Sequence, residues 1–352
     1  MPGDGAAAHL GDTVSEEIVV NNAAISRRHA IAGVAGALAV AGASHRPVRA
    51  ASDKVRFLTS WYAEAEHGGF YQAKATGLYA KNGLDVDIQM GGPQINAIQL
   101  LTGGDADMTM GYDIQVLTAV EHGVPVVTVA ASFQFDLQGI LAHSDIKSLA
   151  DLKGHKILLA SSSHTTFWPW LKEKYGFTED QAAPYTFNLQ PFFADPSIAQ
   201  QAYATSEPFQ AQKANMPVNF FLLAKFGYPP YGSTVITTQQ FISKNPSVVK
   251  RFVQATMEGW KSYLENPAPG NALIKIDNPK MSDEQLAYSH SQLKATGAVT
   301  SGDASKLGIG TMTDARWKVT RDFLVRSNLL KDGTDWKSAY SLDYIKNLHV
   351  IA

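Results

Sequence analysis

From residue 54 the chain alternates short β-rich runs with helical patterns, each joined by a brief glycine-marked turn, and this rhythm constrains the fold most. Val55–Ser60 reads as a strand, and Gly69–Thr76 opens a helix that ends at Gly77. Leu84–Met90 (LDVDIQM) alternates apolar and polar residues, as a half-buried strand does. Pro93 begins a helix carrying Ile95, Ile98 and Leu101; Ala106–Met110 is a strand, Ile114–Glu121 a helix and Val124–Ala131 a buried strand. A β-α-β-α order with short turns calls for a mostly parallel sheet covered by helices.

The pattern then restarts. Gly139–His143 and Lys156–Ala160 read as strands, separated by a short helix at Ser148–Leu152. A helix follows from Thr165 to Tyr175, then a strand at Thr186–Leu189, a helix around Ser197–Tyr203 and a strand at Asn219–Leu223. Ser233–Thr237 is a return strand. Beyond Pro246 the chain is nearly all helix: Pro246–Asn266, Ala268–Asp277, Ser282–Thr296 and Thr313–Ser327. The expected fold is α/β with two lobes. The first is discontinuous (51–139 and 233–352), the second is inserted (140–232), two strands form the hinge, and the C-terminal part is helical. A solute site belongs between such lobes, at the carboxyl ends of the strands.

The first fifty residues read as an address. Ser26-Arg27-Arg28 precedes the apolar run Ala30–Gly42 and then Val48-Arg49-Ala50, a small-x-small site. This is the layout of a twin-arginine signal peptide cleaved near Ala50, its apolar run short of the ~20 residues a spanning helix needs. The expected location is the periplasm. The chain has no cysteine, which excludes disulfides, thiolate metal sites and a cysteine nucleophile. A net charge of −2 with scattered Lys and Arg gives nucleic acid nothing to bind.

Leu58–Tyr71 (LTSWYAEAEHGGFY) packs two aromatic rings, two carboxylates, an imidazole and paired glycines into the first strand-to-helix turn. Either Trp61 or Tyr62 facing the cleft gives a flat ligand a stacking platform. Glu64, Glu66 and His67 are candidate polar contacts, with solvated turn charges or loop bracing as the plainer roles. Gly91, Tyr112 and Asp113 follow the next two strands; Asp113 equally suits a helix cap. In the second lobe Ser162, Ser163 and Thr165 open a helix after a buried strand, where hydroxyls and N–H groups hold a carbonyl or anion. Glu207 lies in the turn ATSEPF, and Tyr231 follows the prolines at the hinge.

The segment from Trp61 to Gly92 resembles the opening of the thiamine-pyrimidine-precursor-like family of ABC-transporter solute-binding proteins, relatives of the nitrate, sulfonate and taurine receptors. The residues carrying the resemblance are Trp61, His67-Gly68, Gly77-Leu78-Tyr79 and Gly83-Leu84-Asp85-Val86. Leu100–Tyr112, Gly123–Ala131 and Leu149–Lys156 extend it, so that it covers roughly 54–265. The resemblance implies the type II periplasmic-binding-protein fold and a role in import with an inner-membrane permease. It also implies that Trp61 and His67 contact ligand and that Glu207 sits in a family turn. A cytosolic enzyme branch of the family relies on an iron-associated cysteine-rich motif, which this chain lacks.

Nitrate and sulfonate receptors need donors around an anion. The turns holding Glu64, Glu66, Asp113 and Glu207 contain no Lys or Arg, so a neutral or cationic ligand is expected, such as an aminopyrimidine. A sulfonate, nitrate or aromatic-acid receptor is the nearer alternative. A secreted hydrolase using Ser161–Ser163, His67 and Asp113 is the alternative of a different class, weakened by the absence of a G-x-S-x-G elbow. No metal or cofactor is expected, because the ten histidines show no paired ligand spacing. The protein is expected to be a monomer.

Overall fold

A computed structural model describes residues 52–92 and 95–351. The export signal and Pro93 therefore lie outside the described residues. Two five-stranded sheets organise the rest. The first contains β1 (Asp53–Leu58), β2 (Leu84–Gln89), β3 (Met108–Gly111), β4 (Val126–Phe133) and β10 (Gly232–Thr238), in the order β2-β1-β3-β10-β4. The second contains β5 (Gln138–His143), β6 (Lys156–Leu159), β7 (Ala182–Pro184), β8 (Ile198–Tyr203) and β9 (Val218–Leu222), in the order β7-β6-β8-β5-β9.

The two sheets share one plan. In the first, β1 runs parallel to β2 and β3, with Val55 opposite Val86 and Phe57 opposite Ile88, while β10 enters antiparallel between β3 and β4. In the second, β6 runs parallel to β7 and β8, while β5 enters antiparallel between β8 and β9. Each sheet thus takes its antiparallel strand from one of the two passages of chain between them, at 134–137 and 223–231. Parallel strands leave every turn after β1, β3, β6 and β8 at the same edge of its sheet.

Helix Gly68–Ala75 lies against the long helix Pro246–Glu265. Their backbones approach so closely that a Cβ on Gly259 would sit 2.3 Å from the Gly69 carbonyl, and one on Gly69 would enter the Trp260 ring. Around that crossing Phe57 stacks on Phe70 at 4.4 Å between centroids, and Trp260 meets Phe133 at 5.2 Å. Each such ring contributes about 1.5–3 kcal/mol on burial. The core of the first sheet fixes where the turn after β1 stands.

Two elements differ from expectation. Ile198–Tyr203 is not a helix but β8, the middle strand of the second sheet. Its Ala and Gln residues favour a helix by intrinsic propensity, yet hydrogen bonds to β5 and β6 on both sides decide the matter. The strand expected at Thr186–Leu189 lies instead at Ala182–Pro184, and Phe187 adopts a left-handed backbone (φ 58°). The helix with Ile98 and Leu101 spans Ala97–Gly103, capped by the Asn96 side chain. Among the described residues no helix is long and apolar enough to cross a membrane.

Candidate functional site

The strand ends of the two sheets converge on a cavity of about 430 Å³. The first sheet contributes Ser60 and Trp61 after β1, Gly92 after β2, and Met110 and Tyr112 at the end of β3. The second contributes Ser162, Ser163, Thr165 and Thr166 after β6, Tyr185 and Phe187 after β7, and Tyr203, Ser206 and Glu207 after β8. Asp136 and Gln138, at the first passage between the sheets, complete one wall.

The turn after β1 places its polar groups inward. Glu64, Ala65, Glu66 and His67 are all buried, in a short 3-10 turn that runs directly into Gly68–Ala75. One Glu66 oxygen, Oε1, accepts the Thr205 hydroxyl from the far side of the cavity, while Oε2 has no partner. Burial raises Glu66 to about 7, the Thr205 bond opposing. Burial, then repulsion from Glu66 and Glu207, holds Glu64 well above the ordinary carboxylate range. Burial lowers His67 to about 3, the Tyr62 backbone opposing, so its ring is neutral, and Nδ1 has no partner.

On the opposite wall Glu207 accepts from Tyr185 Oη at 2.8 Å and from Tyr203 N at 2.7 Å, and burial raises its pKa against both bonds. Burial likewise raises Asp136 to about 7, opposed by the Gln138 amide. Gln201 Oε1 accepts from Ser163 Oγ at 2.6 Å and from Ala160 N at 2.5 Å, fixing the loop that carries the serines. Four carboxylates therefore face one cavity whose lining, among the described residues, includes no Lys or Arg. Among the described residues no group of three or more His, Asp or Glu is placed to hold a metal ion.

Of the sequence candidates, Trp61, Glu64, Glu66, His67, Tyr112, Ser162, Ser163, Thr165 and Glu207 line this cavity. Four stand elsewhere. Asp113 is a strut: Oδ1 accepts from Ile114 N, and Oδ2 accepts from Tyr231 N and Thr320 Oγ1. Tyr231 is wholly buried, its hydroxyl accepting from Thr313 N beneath the Arg316 guanidinium. Gly91 is a close approach, since a Cβ there would lie 2.2 Å from the Thr59 carbonyl. Tyr62 meets Trp61 edge-on with ring centroids 5.9 Å apart, lies 6.1 Å from Phe187, and does not line the cavity. The triad considered for a hydrolase is spread among other partners, for Ser163 bonds Gln201 and Asp113 braces Tyr231.

Asp136, Tyr185, Phe187, Gln201 and Tyr203 were not foreseen. Tyr203 alone follows from strand order, because a chain read with β8 at Ile198–Tyr203 puts it at a strand's carboxyl end.

Two sheets of shared strand order, joined by two passages and facing one cavity across their strand ends, define a protein of the periplasmic-binding-protein fold. The periplasmic aliphatic sulphonate binding protein SsuA of Escherichia coli has this fold, superposing with a TM-score of 0.61 at 17% identity over 81% of this chain and 91% of its own. Residues 64–269, more than half the chain, match the family model described as NMT1/THI5 like, and the chain belongs to that family. The formylaminopyrimidine-binding protein of Halalkalibacterium halodurans is 26% identical over 62% of this chain and 68% of its own length. The riboflavin-binding protein RibY of Chloroflexus aurantiacus is 25% identical over 83% and 86%. Enzymes occur among the relatives too: 4-amino-5-hydroxymethyl-2-methylpyrimidine phosphate synthase of Aspergillus parasiticus is 24% identical over 62% and 68%.

Proposed function

We propose that this chain is the periplasmic solute-binding component of an ABC importer, and that its cargo is a small planar nitrogen-containing aromatic molecule, neutral or cationic, of the thiamine-pyrimidine-precursor kind. One observation carries the reading: Trp61 and four buried carboxylates line a cavity without a Lys or Arg. An anion there would meet four acidic side chains and no cationic one, whereas ring N–H groups find acceptors and a ring face finds an indole. Two relatives named for binding a formylaminopyrimidine and riboflavin, both planar nitrogen heterocycles, support the same class.

The mechanism follows from the two sheets. Residues 51–139 and 233–352 act as one lobe and 140–232 as the other, hinged at the two passages between them. A ligand touching both walls stabilises the closed form, and the permease recognises that form. The chain acts as a monomer, exported by its N-terminal signal with cleavage near Ala50. Binding rather than turnover is supported by the separate commitments of Ser163 and Asp113.

A thermal-shift screen of the protein from residue 51 onward tests this, using aminopyrimidines, flavins, alkanesulfonates, nitrate and aromatic acids. Stabilisation by the heterocycles supports the reading. Stabilisation by sulfonate or nitrate alone overturns it, and steady consumption of a screened compound would make the protein an enzyme.

A further inference from the structure

The proposed class of cargo leaves a charge problem open. Glu64, Glu66, Glu207 and Asp136 are each more than nine-tenths buried around one cavity. The other titratable groups facing them are His67 from the same turn, Tyr112 from the end of β3, Asp113 and Tyr228 near Asp136, Tyr185 and Tyr203 from the second sheet, and Tyr263 from the long helix Pro246–Glu265. None of these is cationic at neutral pH. A buried carboxylate needs a counter-charge or a proton, and the protein supplies no counter-charge here.

A second observation points at the missing partner. Glu66 Oε2 and His67 Nδ1 are both buried, both unpartnered, and belong to adjacent residues of the cavity wall. In the neutral His67 ring one nitrogen donates and the other accepts. The unpartnered Glu66 Oε2, a carboxylate oxygen, requires a donor. Neighbouring groups donate to Glu66 Oε1 (Thr205), to Glu207 (Tyr185 and Tyr203) and to Asp136 (Gln138 N).

We propose that the cavity takes its ligand as a cation, an amidinium-like or ring-protonated group whose N–H groups donate to the Glu66 carboxylate, and that this cation exchanges for a proton held by the Glu64–Glu66 pair. The proposal rests on the solute-binding reading and narrows its cargo from neutral-or-cationic to cationic. The exchange balances: a protonated carboxyl plus a ligand cation gives a carboxylate–cation pair, and one proton goes to solvent. The raised pKa of both glutamates is what such a proton-holding pair displays.

The experiment is calorimetric titration at pH 7 with benzamidinium, a permanently charged planar amidine, against its neutral isostere benzamide. It is run in phosphate and in Tris, whose ionisation heats differ, so that proton release appears as a buffer-dependent enthalpy. The expected result is benzamidinium bound about ten-fold or more tightly than benzamide, with protons released on binding. Glu66→Gln keeps an acceptor for Thr205, and is expected to lose about ten-fold in affinity together with the release. Should that variant fail to fold, Glu64→Gln, altering the other member of the pair, is expected to diminish the release in the same way.

Equal heats in the two buffers, benzamide bound as tightly as benzamidinium, or no benzamidinium binding would each overturn the proposal. A parallel titration with 4-aminopyrimidine separates the two readings. Its binding beside a failed benzamidinium result keeps the heterocycle receptor and removes the cation. Benzamidinium binding with proton release, but none by any heterocycle, keeps the cation site and removes the heterocycle cargo.

Discussion

The indole of Trp61 stands edge-on to the phenyl ring of Phe187, centroids 5.5 Å apart and planes at 72°. The first ring follows β1 and the second follows β7, so the contact joins the two sheets across the cavity. Neither ring is fully buried, and Phe187 is among the exposed large apolar residues. An edge-on aromatic pair at a cavity wall can part to admit a third planar ring at modest cost, since such a pair contributes only about 0.5–1.5 kcal/mol beyond its area.

Replacing Trp61 by Ala should therefore weaken ligand binding by about 1–3 kcal/mol, roughly ten- to a hundred-fold, without unfolding the protein. Calorimetry of the variant, beside a thermal melt, measures both. Unchanged affinity would remove Trp61 from the site.

Phe187 holds a left-handed backbone that a side chain disfavours. Phe187→Gly should thus be more stable than Phe187→Ala by about 1 kcal/mol, although both lose the same ring. Urea denaturation of the two variants gives the difference. Equal stabilities would mean that the loop relaxes once the ring is gone.

Asp113 should behave as a structural residue. Both its oxygens face donors, Ile114 N on one and Tyr231 N with Thr320 Oγ1 on the other, so an Asn amide placed either way opposes a donor to a donor. Asp113→Asn is expected to cost about 1–3 kcal/mol of stability and to leave ligand affinity intact. A selective loss of affinity in the folded variant would return Asp113 to the site.

The carboxylates set the pH response of the ligand-free protein. Glu66 and Asp136 titrate at about 7 and Asp113 at about 6, with Glu64 and Glu207 also raised. Unfolded carboxylates titrate near about 4, so between these values the folded state holds more protons than the unfolded. Their contribution is complete below pH ~4 and is lost as pH rises through 6 to 7. His67, depressed to about 3, acts oppositely by penalising acid pH below its unfolded value of about 6.5. One imidazole opposes several carboxyls, so the melting temperature should fall by roughly 4 °C or more from pH 5 to pH 8. Calorimetric melts across that range check it, and a rise would contradict the assignment.

The first sheet is largely legible in the sequence, because its strands are β-branched or strictly alternating, as in Leu84–Gln89. The turn after β1 is legible because Trp61, Glu64, Glu66 and His67 crowd into one short segment. The far wall is harder to read. It takes single residues from separate strand ends, Tyr185, Tyr203 and Asp136, and a residue alone in a loop carries no pattern. The strand Ile198–Tyr203 hides behind helix-favouring Ala and Gln, since its conformation is imposed by the strands on either side. Tyr231 misleads for a related reason: proline-flanked and aromatic, it looks exposed, yet the Thr313 amide and the Arg316 guanidinium enclose it.

The central claim is that two sheets close on a planar, nitrogen-bearing guest that carries no negative charge. Calorimetric titration of the protein with 4-aminopyrimidine and, separately, with methanesulfonate tests it most directly. The account predicts saturable binding of the aminopyrimidine, weakened in Trp61→Ala, and no heat of binding from the sulfonate. Tight binding of methanesulfonate with none of the aminopyrimidine would contradict it.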